Sequence, residues 1–96
     1  MAWVRVASFD GGDTEKLRER AESGAMPDNP PGMQGAMVFA TPDDSKRVFV
    51  AWFDSKESLE ASADHFERMG DEMPEEIRGR RVGIEAYEVV FNSWEQ

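Results

Sequence analysis

The chain has 96 residues, no cysteine, a formal net charge of −9 and 40% apolar content. That length fits one small domain and excludes a solenoid array or paired catalytic domains, because domains commonly run to about 100–200 residues. A sequence pI near 4.5 excludes the basic surface that displaces counterions from phosphate, so neither nucleic acid nor an anionic membrane is an expected partner.

The absence of cysteine removes disulfides, thiolate metal sites and cysteine nucleophiles together, and suits a reducing, cytoplasmic setting. Arg5 interrupts the only N-terminal apolar stretch, so no secretory signal is expected. No run approaches the roughly 20 apolar residues of a membrane span.

In chain order, Ala2–Phe9 is β-branched and aromatic and reads as a first strand, closed by the turn residues Asp10-Gly11-Gly12. Asp13 or Thr14 then caps a short helix to about Ser23, with a thin apolar stripe of Leu17, Ala21 and Ala25. Gly24 and Pro27 stop it, and three prolines and three glycines in residues 24–35 predict a long irregular loop over one end of the domain. Met33–Thr41 and Lys46–Phe53 are two strands joined through Pro42-Asp43-Asp44-Ser45, a hairpin. Asp54 or Ser55 caps a second helix, with Glu57 spaced for a capping box from Asp54.

In that second helix Leu59, Ala63, Phe66, Gly70 and Met73 recur at helical spacing, flanked by Ser62 and Met69. Glu57, Glu60, Asp64, Glu67 and Asp71 take the opposite face. Nine acids stand against Lys56 and Arg68 within residues 54–76, a local charge of −7 that marks a solvated outer face. Pro74 and Gly79 bracket a short turn, Val82–Phe91 is the last strand, and residues 92–96 are a tail. The order strand–helix–strand, twice over, predicts an α+β, ferredoxin-like split βαβ domain over residues 1–96, with a four-stranded antiparallel sheet and helices on one face.

A sheet covered on one face alternates apolar and polar residues. The third strand does not: Val48-Phe49-Val50-Ala51-Trp52-Phe53 is apolar throughout, and Ala36–Ala40 is similar. The second apolar face therefore needs a cover. A second copy packed sheet to sheet is the simplest; a different protein or a lipid-like ligand are the alternatives.

Three segments then carry a family resemblance. Pro31-Gly32-Met33-Gln34-Gly35 resembles the Pro-Gly lead into a second strand, and Val50 to Ser62, with Trp52, Ser55, Glu57, Leu59 and Ala61, resembles a strand–helix junction. Ala86-Tyr87-Glu88-Val89 resembles a closing strand. All three resemble the dimeric α/β-barrel superfamily, in particular small proteins like the antibiotic biosynthesis monooxygenase (ABM) domain. The resemblance implies two sheets packed as a homodimeric barrel, with a pocket between sheet and helices. It covers cofactor-free monooxygenases of phenolic polyketide intermediates, haem-degrading enzymes and proteins without assigned activity.

The haem-degrading branch has an Asn in the first strand and a Trp–His pair on the second helix. Here no Asn lies between Trp3 and Phe9, and no Trp lies within Leu59–Met73. The leading expectation is thus a small dimeric barrel that binds an apolar or aromatic small molecule without a cofactor. The alternatives are an ABM-like monooxygenase acting on a phenolic or polyketide-type substrate and, third, haem binding or degradation.

His65, the only histidine, sits at the flank of the helical stripe, where it is a half-exposed structural residue, a haem or metal ligand, or an acid–base group. Tyr87 offers a phenol to the sheet edge or to a substrate carbonyl. Arg5, in an otherwise apolar strand, needs a partner such as Glu85 or Glu88 if it faces the interior, and either pairs structurally or binds an anion. These three are the candidate catalytic residues; Trp52, Ser62, Phe66, Met69 and Phe39 are the candidate pocket wall. No metal site is expected, because a lone His with only Met69 at helical spacing cannot hold zinc. Trp94 in the tail is a candidate contact across a partner subunit.

Overall fold

The computed structural model describes residues 2–24 and 29–93. Ala25, Met26, Pro27 and Trp94, all of which fall in segments read above, lie outside the described residues. The elements are β1 (Trp3–Asp10), α1 (Thr14–Glu22), β2 (Met33–Ala40), β3 (Lys46–Phe53), α2 (Lys56–Ala61), α3 (Ala63–Glu72), α4 (Glu75–Arg78) and β4 (Arg80–Glu88). The strands form one antiparallel sheet in the order β2-β3-β1-β4, the ferredoxin-like arrangement expected from the element order.

Local chemistry sets the boundaries. Asp13 caps α1, its carboxylate accepting from the Lys16 N–H at 3.1 Å. The second cap is Ser55, whose hydroxyl accepts from the Ser58 N–H at 3.1 Å, so the third helical residue is Ser58 and not Glu57. That corrects the capping box expected from Asp54. A single long helix was also expected, but α2 and α3 break at Ser62 (φ −80°, ψ −7°). The Ser62 hydroxyl donates to the Leu59 carbonyl at 2.5 Å, giving the backbone an alternative to the regular helical ladder.

β4 begins two residues earlier than expected, because Arg80 and Arg81 pair with Asp10 and Phe9 of β1 and send their charges to Asp10 (3.5 Å) and Glu67 (3.0 Å). It ends at Glu88, opposite Trp3, where β1 runs out; one further bond, from the Val89 N–H to the Ala2 carbonyl (2.9 Å), follows.

Gly32 shows why the Pro-Gly lead needs glycine. Its φ is +83°, and a Cβ there would collide with the Ser58 side chain and lie 2.8 Å from Asp54 Oδ1. The close approach lets the Gly32 carbonyl accept from the Asp54 N–H at 2.9 Å, which docks the start of β2 on the β3–α2 junction.

Register assigns the faces. Arg5 lies across from Ala51 and Ala86, and Ala7 from Phe49 and Ile84, so Arg5, Ala7, Phe49, Ala51 and Phe53 share the helix side. Phe66 of α3 completes this core, buried against Ala51 and Phe53, with edge-on ring contacts to Phe49 (5.9 Å) and Phe53 (6.2 Å). The other face carries Val4, Val6, Val48, Val50 and Trp52, extended by Met37, Phe39 and Tyr87. Phe39 and Tyr87 are each 51% exposed on it.

Candidate functional site

Between the helix side of the sheet and α1, α3 and α4 lies a cavity of about 430 Å³. α1 buries no residue, and only half-buried Leu17 and exposed Ala21 turn toward this space, so the thin stripe of that helix leaves the cavity unfilled. Phe9, Phe49, Phe66, Met69 and Met73 provide an apolar wall.

Five arginines line the same space: Arg5, Arg47, Arg78, Arg80 and Arg81. Glu67, Asp71 and Glu75 are the lining acids, so the cavity carries a formal +2 (five cations less three anions) inside a chain of −9.

Four of these arginines have polar partners. Arg47 is 3% exposed and donates to the Ile77 carbonyl (3.4 Å), Thr14 Oγ1 (3.1 Å) and Asp44 Oδ1 (3.4 Å). The Thr14 hydroxyl in turn donates to Asp44, and with its backbone N–H it holds the Asp44 carboxyl below the usual aspartate range. Arg78 donates to the carbonyls of Gly70, Met73 and Gly79, tying α4 to the end of α3. Arg80 pairs with Asp10 and Arg81 with Glu67.

Arg5 differs. It is 8% exposed, and its guanidinium carbon lies 4.1 Å from the centroid of the Phe66 ring. The pairing expected with Glu85 or Glu88 is not formed. Glu85 lies opposite Val6 on the other face, bonded to the Tyr87 hydroxyl, and Glu88 lies opposite Trp3 at the strand end. Burial, and then the charge of Arg81, push the Arg5 pKa below its ordinary value; Glu67 partly offsets them.

Of the sequence-derived candidates, the cavity brings together Arg5, Phe66 and Met69. Ser62 is buried behind it, with its hydroxyl committed to the Leu59 carbonyl. His65 is on the flank of α3, in a separate depression with Pro30, Pro31 and Arg68, its ring edge-on to Phe66 at 5.4 Å. Trp52, Phe39 and Tyr87 stand on the opposite face of the sheet. The three candidate catalytic residues therefore occupy three different places. Sequence reasoning missed Arg47, Arg78, Arg80 and Arg81. Their signal was a strand phase that puts Arg47 in step with Phe49 and Phe53, and a basic cluster in the acidic half. Among the described residues no group of three or more His, Cys, Asp or Glu side chains is placed to hold a metal, and no helix is long and apolar enough to cross a membrane.

No protein-family model matches the sequence, and no curated protein matches it. Among solved structures, a single-residue variant of MhuD, crystallised with two manganese protoporphyrin IX molecules bound per active site, superposes with a TM-score of 0.62. The match covers 94% of this chain and 96% of that one at 19% identity. This chain has the ABM-like fold. The likeness fixes the ABM-like architecture, an α+β sheet-and-helix layer of ferredoxin-like topology, and at this identity it extends no further than the fold.

Proposed function

We propose that this ABM-like protein binds an apolar or aromatic small molecule in the cavity between the sheet and α1, α3 and α4, and that two copies assemble through the open sheet face. The observation that carries the binding reading is the cavity itself. About 430 Å³ falls within the range of roughly 300–1,000 Å³ typical of ligand sites, which combine apolar walls with a few placed polar groups. The MhuD variant holds its porphyrins within the same fold, which supports a ligand-binding role for this architecture. The open face supports self-assembly: Val48, Val50 and Trp52 with Met37 and Phe39 form one apolar surface that a second sheet would cover.

Binding is favoured over acid–base catalysis because only Arg5 of the three candidate groups lines the cavity, while His65 and Tyr87 lie outside it. For the monooxygenase alternative, oxygen uptake with anthrone or quinol substrates is the direct assay. Haem fits the donor set poorly: the lining has no imidazole, thiolate or phenol to ligate iron, and His65 belongs to the separate depression.

Gly70 provides the test of the binding reading. It lines the cavity, and a Cβ built on it meets nothing within 4 Å. Gly70→Phe projects a ring into that space from α3, and a panel of aromatic ligands followed by fluorescence should lose binding. Undiminished binding to Gly70→Phe would refute the cavity as the site.

A further inference from the structure

Burying a cation without hydrogen-bond partners is unfavourable, and such a group persists where something else completes it. Arg5 comes near this position: it is nine-tenths buried, it lines the cavity, and among the described residues its side chain makes no hydrogen bond and no ion pair, but its nitrogens are not sealed in as Arg47 Nε is, so they open onto the cavity. The Phe66 ring engages its charge but none of its five N–H donors. Glu67 of α3 is paired with Arg81 at 3.0 Å, and the guanidinium ends of the other three lining arginines bond Asp44, Asp10 or backbone carbonyls, with Arg47 Nε left buried without a partner among the described residues.

We infer that Arg5 is the anion receptor of this cavity, and that the ligand is an aromatic acid, a flat apolar ring system bearing one carboxylate or comparable anionic group. This rests on the cavity-binding reading above and narrows its ligand. A planar guanidinium presents paired donors that match a carboxylate or sulfonate edge, so an incoming anion satisfies the N–H groups that Phe66 leaves open. The ring system then packs on Phe49, Phe66 and Met69, which line the cavity together with Arg5. The lining charge of +2 draws such a ligand into an otherwise acidic molecule. An uncharged ligand would leave the guanidinium as it stands.

The experiment compares two fluorescent probes on the full chain: anilinonaphthalene sulfonate and its uncharged parent, phenylnaphthylamine. Wild type should bind the sulfonate at least about tenfold more tightly, the effect of one good charge-assisted contact. Arg5→Met should abolish that preference, weakening the sulfonate at least about tenfold relative to the uncharged probe. A retained sulfonate preference in a folded Arg5→Met overturns the proposal while leaving the cavity reading intact. If circular dichroism shows Arg5→Met unfolded, Arg5→Lys decides the matter: it keeps the charge without the planar fork and should weaken the sulfonate preference, and an unchanged preference overturns the proposal. Failure of the cavity reading itself is separately visible, as both probes would then still bind Gly70→Phe.

Discussion

The Arg47 guanidinium occupies the space that a side chain at Gly12 would take: a Cβ there would lie 2.9 Å from Arg47 Cζ and 2.8 Å from the Ile77 carbonyl oxygen. Through this gap one buried cation ties the first residue of α1, the β2–β3 turn and α4 into a single corner, using Thr14, Asp44 and Ile77. Arg47 also lines the cavity, so packing and the candidate site share a residue.

The glycine turn before α1 separates backbone strain from steric collision. Gly11 (φ +75°) has open space around a built Cβ, whereas Gly12 (φ +100°) does not. Gly11→Ala should cost about 1 kcal/mol in urea unfolding, the penalty of one left-handed residue, and Gly12→Ala about 3 kcal/mol, because the Ile77 carbonyl and the Arg47 guanidinium must both give way. Equal losses would show that the close approach of Ile77 and Arg47 to Gly12 contributes nothing.

The β2–β3 turn should be acid-sensitive. The Asp43 carboxyl is held down to about 2 by the Ser45 N–H (3.0 Å), the Ser45 hydroxyl (2.8 Å) and the Thr41 hydroxyl (2.8 Å). A carboxyl depressed in the folded state stabilises it above the unfolded pKa of about 4, and that contribution is lost as pH falls toward about 2. The Tm of Asp43→Ala should therefore lie below wild type near neutrality and converge on it in acid. A gap independent of pH would argue against this origin.

Assembly through the open face is testable at its centre. Val50 lies between Val6 and Met37 on that surface. Val50→Glu places a charge where a second sheet would remove water, and sedimentation equilibrium should report a dimeric wild type and a monomeric variant. Ala63→Glu, at an exposed position of α3, should stay dimeric. A dimeric Val50→Glu would exclude this face as the interface.

Gly70 lies inside α3 without positive φ, and a Cβ there meets nothing. Gly70→Ala should gain about 0.5–1 kcal/mol, the helix-propensity difference, in chemical denaturation. A loss would mean that the backbone there needs glycine's freedom.

Element order, and with it the split βαβ topology, was legible along the chain, because period-two and helical apolar patterns are local consequences of strand and helix geometry. β3 ran from Lys46 to Phe53 as expected, and α1 began at Asp13, one of the two caps the sequence offered. The two-faced apolar character of β3 was legible in the same way. Where local signals competed, they misled in part: Ser62 ended a helix whose apolar stripe continued, and of the two offered caps Ser55 prevailed, so the capping box from Asp54 to Glu57 did not form.

Which side chains meet was settled by strand pairing and packing. Side chains alternate across a strand, so register alone sent Arg5 and Phe49 to the cavity, and Trp52, Phe39 and Tyr87 to the opposite face. The arginine lining drew on residues more than 70 positions apart, from Arg5 to Arg81, and no local pattern could assemble it. The unpaired state of Arg5 followed from the same register, which put Glu85 across Val6 and left Phe66 as the neighbour of a buried charge.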